Sequence, residues 1–184
     1  MRPNLFLARV LYGNSNNIVN FASRVINQRN LQSMNNQFSP KISEVLIYSK
    51  EEALRLHNEC VAPEHLLLGL IRDGEGKAIQ ILRLLNLDFR SVKLRAEQSI
   101  QGSAMQEMPD ADHEIILNEK ASKIMRLCLL EARMLKAQVA DTEHILLAIM
   151  KEKDNNACRI LEENSIHYTD ILNLLTQKAE KSDV

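Results

Sequence analysis

An internal repeat at a fixed offset restricts the possible folds of this chain more than any other feature. When the sequence is shifted by 79 positions, Phe38–Phe89 lies over Leu117–Tyr168 without a gap. Apolar residues fall on apolar residues along the alignment, which indicates two copies of one supersecondary unit with matching buried faces. The identical pairs include Lys41/Lys120, Ser43/Ser122, Glu52/Glu131, Ala53/Ala132, Glu64/Glu143, His65/His144, Leu67/Leu146 and Leu68/Leu147.

The composition and periodicity of each copy predict helices. The chain has only 5 Gly and 4 Pro residues, which is few for a protein with many β-turns. Apolar residues recur every three to four positions from Ile42 to Leu56, the spacing of a helix with one buried face. The sequence therefore predicts an all-α fold with eight helices, in two tandem four-helix repeats related by a pseudo-two-fold axis.

Capping signals set the expected helix boundaries. Ser39 followed by Pro40 is typical of a helix start, because Ser caps free amides and Pro suits the first helical position. Asn118 takes the same place in the second copy. The apolar segment after Pro63 is predicted to be a central buried helix. The other expected features are a third helix over 77–85, a fourth from Asp88 to about Ile100, a cap at Asp141 or Thr142, a break near 154–155 and a last helix after Tyr168.

These signals also predict the domain organisation. An N-terminal extension, disordered or non-native, covers 1–37, and one domain covers 38–176. Each repeat has about sixty residues, a marginal size for an independent core, so we expect the two to pack as one domain. Within the chain, repeat one is expected at 38–100, a linker at 101–116, repeat two at 117–176 and a charged tail at 177–184.

The N-terminal extension allows two interpretations. Residues 1–43 contain no Asp or Glu and carry several Arg, a composition that resembles an organelle transit peptide or another regulatory extension. Alternatively, translation begins at Met34, and we favour this interpretation because the patterned domain starts so soon afterwards. The apolar run Leu5–Ala8 is far too short to span a membrane.

The overall charge and the cysteines narrow the classes of function. A formal net charge of -1 gives no indication of a nucleic-acid partner, and no segment predicts a membrane partner. Cys60, Cys128 and Cys158 are widely separated, a pattern typical of reduced thiols in a cytosolic protein. We therefore expect a cytoplasmic protein, or a plastid protein if residues 1–33 are a transit peptide.

No motif predicts catalysis or a metal site. Gly76–Lys77 is not a phosphate-binding loop, because Ile71 stands where such a loop needs Gly and Ala78 where it needs Ser or Thr. The His and Cys residues lack the spacings of zinc sites. We expect no catalytic residue, metal ligand or cofactor in this chain, and a small helical enzyme with an unrecognised site is the least favoured interpretation.

The repeated segments resemble a known family. Glu51–Leu56, followed by Pro63–Leu70 and Arg72–Gly76, resembles the Clp N-terminal repeat, and so does Glu131–Arg133 followed by Asp141–Ile149. The resemblance extends over about residues 38–175. It is strongest to the ClpC branch, in which both repeats carry a Thr-Glu-His or Pro-Glu-His element.

The resemblance implies a function and a set of partners. In the family, this helical domain sits above a hexameric ATPase ring and receives protein substrates and adaptor proteins. The ring then unfolds the substrates and threads them into the ClpP protease. ATP and magnesium are expected only for the ATPase modules, which this chain lacks. The alternative is a stand-alone accessory protein, similar to the Clp N-terminal domain, that binds a Clp complex.

The resemblance also implies candidate binding residues. In the ClpC branch, the Glu of this motif is associated with phosphorylated arginine on substrates, which makes Glu64, Glu143 and Thr142 the candidates. A carboxylate binds a guanidinium through paired hydrogen bonds, and helix N-termini bind phosphate. Pro63 is expected to weaken the first site, because it removes a hydroxyl and a backbone N–H. The alternative is that both carboxylates only stabilise the helix dipole.

Overall fold

The computed structural model describes residues 37–100 and 115–182, with side chains described as far as residue 177. Within these residues the chain forms eight helices and two short strands, which confirms the predicted all-α class. The predicted N-terminal extension and most of the predicted linker lie outside the described residues. The helices are α1 (Pro40–Arg55), α2 (Pro63–Asp73), α3 (Lys77–Leu84), α4 (Phe89–Ile100), α5 (Glu119–Met134), α6 (Thr142–Lys151), α7 (Asn156–Glu163) and α8 (Tyr168–Ser182).

The helices begin where the capping residues predict. The Ser39 hydroxyl accepts a hydrogen bond from the Ile42 amide, with Pro40 as the first residue of α1. Asn118 caps α5 in the same way, through the amide of Ala121. Of the two candidates for the cap of α6, Asp141 holds the capping position. These local signals were sufficient because each cap satisfies amides within its own first turn. The last helix, α8, continues to Ser182, through most of the predicted tail.

Short parallel backbone pairs join the two repeats, and the sequence did not predict them. Strand β1 (Cys60–Val61) pairs with β2 (Ile116–Leu117), and Phe38 forms an isolated bridge with Ala140. The two contacts are equivalent under the 79-residue offset: the segment before the first helix of each repeat pairs with the segment before the second helix of the other. A two-residue strand has no periodicity, so residue patterns cannot reveal it.

Helices also pack across the boundary between the repeats. Helix α3 of repeat one packs on α6 of repeat two, and α7 of repeat two packs on α2 and α4 of repeat one. Helices α2 and α6 lie at the centre, as predicted, and the equivalent side chains Leu67 and Leu146 are both fully buried. Each such side chain contributes about 2 kcal/mol through removal from water. The two repeats therefore share one core.

A buried carboxylate recurs at the same place in both repeats. Glu52 on α1 accepts a hydrogen bond from Arg72 on α2, with 3.2 Å between Oε1 and the guanidinium nitrogen. Glu131 on α5 accepts one from Lys151 on α6 at 2.6 Å and another from the Tyr168 hydroxyl at 2.7 Å. Burial and the neighbouring Glu131 raise the pKa of Tyr168 to about 12. Each pair links the first two helices of its repeat.

Among residues 37–100 and 115–182, four residues other than Gly terminate helices in the left-handed backbone region. They are His57, Asn86, Lys136 and Ser165, with φ of 56°, 56°, 56° and 61°. His57 matches Lys136 and Asn86 matches Ser165 under the offset, so both repeats end the same helices with the same local geometry. Left-handed backbone is strained for a residue with a Cβ atom. Substitution by Gly at one of these positions therefore tests for the strain.

Replacing Lys136 by Gly should stabilise the protein. Gly adopts a positive φ without steric strain, so Lys136→Gly is expected to raise the free energy of unfolding by about 1 kcal/mol. Arg126 is an exposed cationic residue inside α5, where the same change should lower the free energy of unfolding by about 1 kcal/mol. Urea unfolding followed by circular dichroism measures both. Destabilisation by Lys136→Gly would contradict the proposed strain.

A close approach of α1 and α2 requires Gly69. A Cβ atom added there would lie 2.3 Å from the Ser49 hydroxyl oxygen and 2.7 Å from the Val45 carbonyl oxygen. Both distances are shorter than van der Waals contact. A residue with a side chain would therefore force the two helices of the core apart.

We predict that Gly69→Ala destabilises the protein, although the same change at an ordinary helical Gly stabilises it. The expected loss is about 2 kcal/mol in the free energy of unfolding, because the core is overpacked. Adding Ser49→Ala should recover only part of this loss, since the Val45 carbonyl remains at 2.7 Å. Chemical denaturation of the single and double variants checks this, and an unchanged midpoint for Gly69→Ala would contradict it.

Candidate functional site

Glu64 stands in the first turn of α2 and faces the other repeat. Its side chain lines a cavity of about 420 Å³ together with the N-terminal residues of α7. We name this cavity the Glu64 pocket and define it by Pro63, Glu64, Lys120, Asn155, Asn156 and Arg159, which are among its lining residues. Because α7 belongs to repeat two, the pocket exists only when the two repeats are packed together.

The Glu64 carboxylate has no partner in the pocket. The residue is only 7% exposed, and no hydrogen bond or ion pair to it occurs among the residues that the structure describes. Two cations lie in the same lining: Lys120, which pairs with exposed Asp154 at 2.9 Å, and exposed Arg159. The Glu64 oxygens are not among the fully buried atoms that lack a partner, so they are open to the pocket. The pocket therefore suits a ligand that carries a cation for Glu64 and an anion for the two bases.

Glu143 occupies the equivalent position in the first turn of α6, but its surroundings differ. Its Oε1 atom lies 3.1 Å from Lys77 Nζ at the start of α3, and its Oε2 atom is buried without a hydrogen-bond partner in the described structure. The neighbouring Thr142 hydroxyl accepts a hydrogen bond from the Ala78 amide at 3.2 Å. A Cβ atom at Gly76 would lie 2.7 Å from that hydroxyl oxygen, so α3 and α6 meet here in close contact. We name this arrangement the Glu143 site.

The two sites are related by the repeat, and each is built from both repeats. In each, a carboxylate from the second helix of one repeat faces the N-terminus of the third helix of the other. The predicted residues Glu143 and Thr142 lie together, whereas Glu64 lies in the separate, equivalent site. The sequence did not identify Lys77 or Asn156, although both follow from the offset once the facing helix is known.

His65 and His144 hold the N-termini of α2 and α6 in place. The Nδ1 atom of each accepts a hydrogen bond at 2.9 Å, from the Ala62 amide and the Asp141 amide respectively. His65 Nε2 then donates to Asn58 Oδ1 at 3.0 Å. These bonds require neutral imidazoles, so both His residues act as caps at the N-termini of their helices.

Burial sets the protonation of these His residues. It lowers the pKa of His65 to about 4, against a smaller opposing effect of Glu52 and with a contribution from Arg55. Burial also lowers the pKa of His144. A lowered pKa means that the unfolded chain binds protons more readily than the folded chain between pH 6.5 and 4.

The fold should therefore lose stability as the pH falls from 6.5 to 4. His65 contributes its full share above pH 6.5, and protonation should remove about 3 kcal/mol of it by pH 4. In His65→Gln, the slope of unfolding free energy against pH should be shallower in this range, with the remainder due partly to His144. An unaltered slope in His65→Gln, measured by denaturation at several pH values, would contradict the assignment.

Other kinds of site are not seen in the described parts of the chain. There, His, Cys, Asp and Glu form no group of three or more that could hold a metal ion. None of the described helices is both long enough and apolar enough to cross a membrane. All three cysteines are free thiols, with Cys128 and Cys158 buried and Cys60 half-buried beside the Glu64 pocket.

A protein-family comparison decides what this duplicated domain is. The family described as the Clp repeat N-terminal domain matches residues 37–164. The chain belongs to the Clp N-terminal domain family. The match covers repeat one and continues through repeat two as far as residue 164.

Individual relatives agree with this assignment. The Clp N-terminal domain is 37% identical over 125 residues to the negative regulator of genetic competence ClpC/MecB of Bacillus subtilis, which covers 68% of the chain and 15% of that protein. It is 30% identical over 155 residues to the chloroplastic chaperone protein ClpC2 of Oryza sativa, covering 79% and 16%. The chain thus spans about a sixth of the length of these relatives, and ClpC-like proteins are among its matches.

A solved structure shows the same fold. The N-terminal domain of the chaperone ClpD from Arabidopsis thaliana superimposes with a TM-score of 0.61 over 78% of this chain and 95% of that one. The sequence identity is 18% or lower for this and similar structures, so the likeness concerns the fold alone. The fold is therefore similar although the sequence identity is low.

Proposed function

We propose that this domain docks protein substrates and adaptor proteins for a Clp ATP-dependent unfoldase that feeds ClpP-type proteolysis. The observation that carries the proposal is the Glu64 side chain, which is only 7% exposed, has no partner among the described residues and opens into a pocket that both repeats form. Several relatives are named ATP-binding subunits of an ATP-dependent Clp protease. In this proposal, ATP, magnesium, the ring and ClpP belong to the assembly that the domain serves, and the chain contacts substrate and adaptor directly.

The chemistry of the two sites supports phosphorylated arginine as the recognised group. Its guanidinium would receive paired hydrogen bonds from Glu64. Its phosphate would face Lys120 and Arg159 and the N-terminus of α7, where free amides and the helix dipole favour an anion. The Glu143 site offers a similar carboxylate beside the N-terminus of α3.

We place this activity in the cytoplasm, or in a plastid if residues 1–33 are a transit peptide. The three free thiols support a reducing compartment. Relatives come from a bacterium and from a chloroplast. Either compartment is compatible with the same docking chemistry.

A substrate-binding measurement tests the proposal. A model protein phosphorylated on arginine should bind the domain at least about tenfold more tightly than the same protein without phosphate, because a charge-assisted contact is gained. The double variant Glu64→Gln/Glu143→Gln should remove this difference, whereas Glu75→Gln, at an acid whose side chain is 84% exposed near α3, should keep it. Fluorescence anisotropy measures all three. Equal binding of the two forms by the unmodified domain would reject phosphoarginine recognition.

A further inference from the structure

We propose that the two pseudo-equivalent sites differ in function, with Lys77 acting as a built-in occupant of the Glu143 site and the Glu64 pocket receiving the ligand first. This inference rests on the proposed function and states which of the two sites binds the ligand first. The ligand class is a side chain or small molecule that carries a guanidinium joined to a phosphate. Lys77 would then be the residue that determines which site is available.

Lys77 provides the cation that a ligand would otherwise bring to Glu143. Its ammonium nitrogen lies 3.1 Å from Glu143 Oε1, and Glu143 is only 4% exposed. The offset places Asn156 at the matching position of the other repeat, and Asn cannot supply a positive charge. The Glu64 carboxylate therefore lacks the internal partner that Glu143 possesses.

The donors for an anion are also used differently in the two sites. In the Glu143 site, the Thr142 hydroxyl accepts the hydrogen bond of the Ala78 amide. In the Glu64 pocket, Pro63 stands at the position of Thr142 and has no hydroxyl that could accept a hydrogen bond from α7. The N-terminus of α7 is capped within its own repeat instead, because Asn155 accepts a hydrogen bond from the Cys158 amide at 2.7 Å.

The cations near the two sites also favour the Glu64 pocket. Arg159 lines the Glu64 pocket, whereas the offset places Gln80 at its position near the Glu143 site. Gln80 donates to the Glu75 carbonyl at 3.2 Å and carries no charge. The first site thus combines a carboxylate without a partner and an additional Arg. Pro63 alone predicts that the Glu64 pocket is the weaker site. The contacts support the opposite order, with the Glu64 pocket binding the ligand first.

Isothermal calorimetry with phosphoarginine tests the inference on the full chain. The unmodified protein should bind one equivalent tightly, and a second site should be at least about tenfold weaker, since a charge-assisted hydrogen bond must first be broken. Glu64→Gln should remove the tight site, and Glu143→Gln should leave it in place. Lys77→Met should strengthen the second site about tenfold, towards two equivalents.

Controls separate this result from nonspecific effects of charge and from misfolding. Lys93 is an exposed Lys on α4, so Lys93→Met should retain a single tight equivalent. Thermal unfolding should show that every variant is folded. In amide spectra of the unmodified protein, the first equivalent should shift Asn156 and Arg159 before Lys77 and Gln80.

The outcomes distinguish the two proposals. Two equal sites in the unmodified protein, or loss of the tight site in Glu143→Gln, would overturn the inference about Lys77 and leave phosphoarginine recognition intact. An unchanged second site in Lys77→Met would overturn it as well. Absence of binding by the folded unmodified protein and by folded Lys77→Met would reject phosphoarginine recognition and, with it, the inference.

Discussion

Reciprocal backbone hydrogen bonds between the repeats are the contact on which the rest of the structure depends. The Ser39 amide donates to the Ala140 carbonyl at 2.8 Å, and the equivalent Asn118 amide donates to the Val61 carbonyl at 2.9 Å. Each bond fixes the start of one repeat against the second helix of the other. Because neither repeat has the size of a comfortable independent core, this exchange makes one domain from two marginal units. It also places the capping residues of the first helices within the interface.

The same exchange creates the two proposed binding sites. Glu64 and Glu143 each stand at the start of a central helix, and each faces a helix N-terminus from the opposite repeat. A duplicated unit alone would give two identical sites. Divergence at a few facing positions, such as Lys77 against Asn156, is sufficient to pair one carboxylate internally and leave the other available. The duplication that stabilises the fold therefore also produced two equivalent sites, and these sites now differ in the charged residues that face each carboxylate.

The sequence predicted those features that depend on local signals. Ser39 and Asn118 marked helix starts because each caps amides in its own first turn, and the periodic apolar residues marked the buried faces. The pairing of Val61 with Leu117 was not predictable, because two residues give no pattern. The offset showed that Lys77 and Asn156 occupy equivalent positions, but an alignment of the two repeats does not show which residues they contact. Only the packing of α3 on α6 shows which helix N-terminus faces Glu143. The role proposed for Lys77 depends on that packing.

The central claim, that the two repeats form one cooperative unit, is tested most directly by native-state hydrogen exchange. The most protected amides of α2 and α6 should exchange through the same opening, with equal free energies that match global unfolding, because each helix is buried by both repeats. Lower free energies for one helix, with exchange that continues while the other remains protected, would show that one repeat unfolds alone. That result would contradict the shared core and the sites built across it.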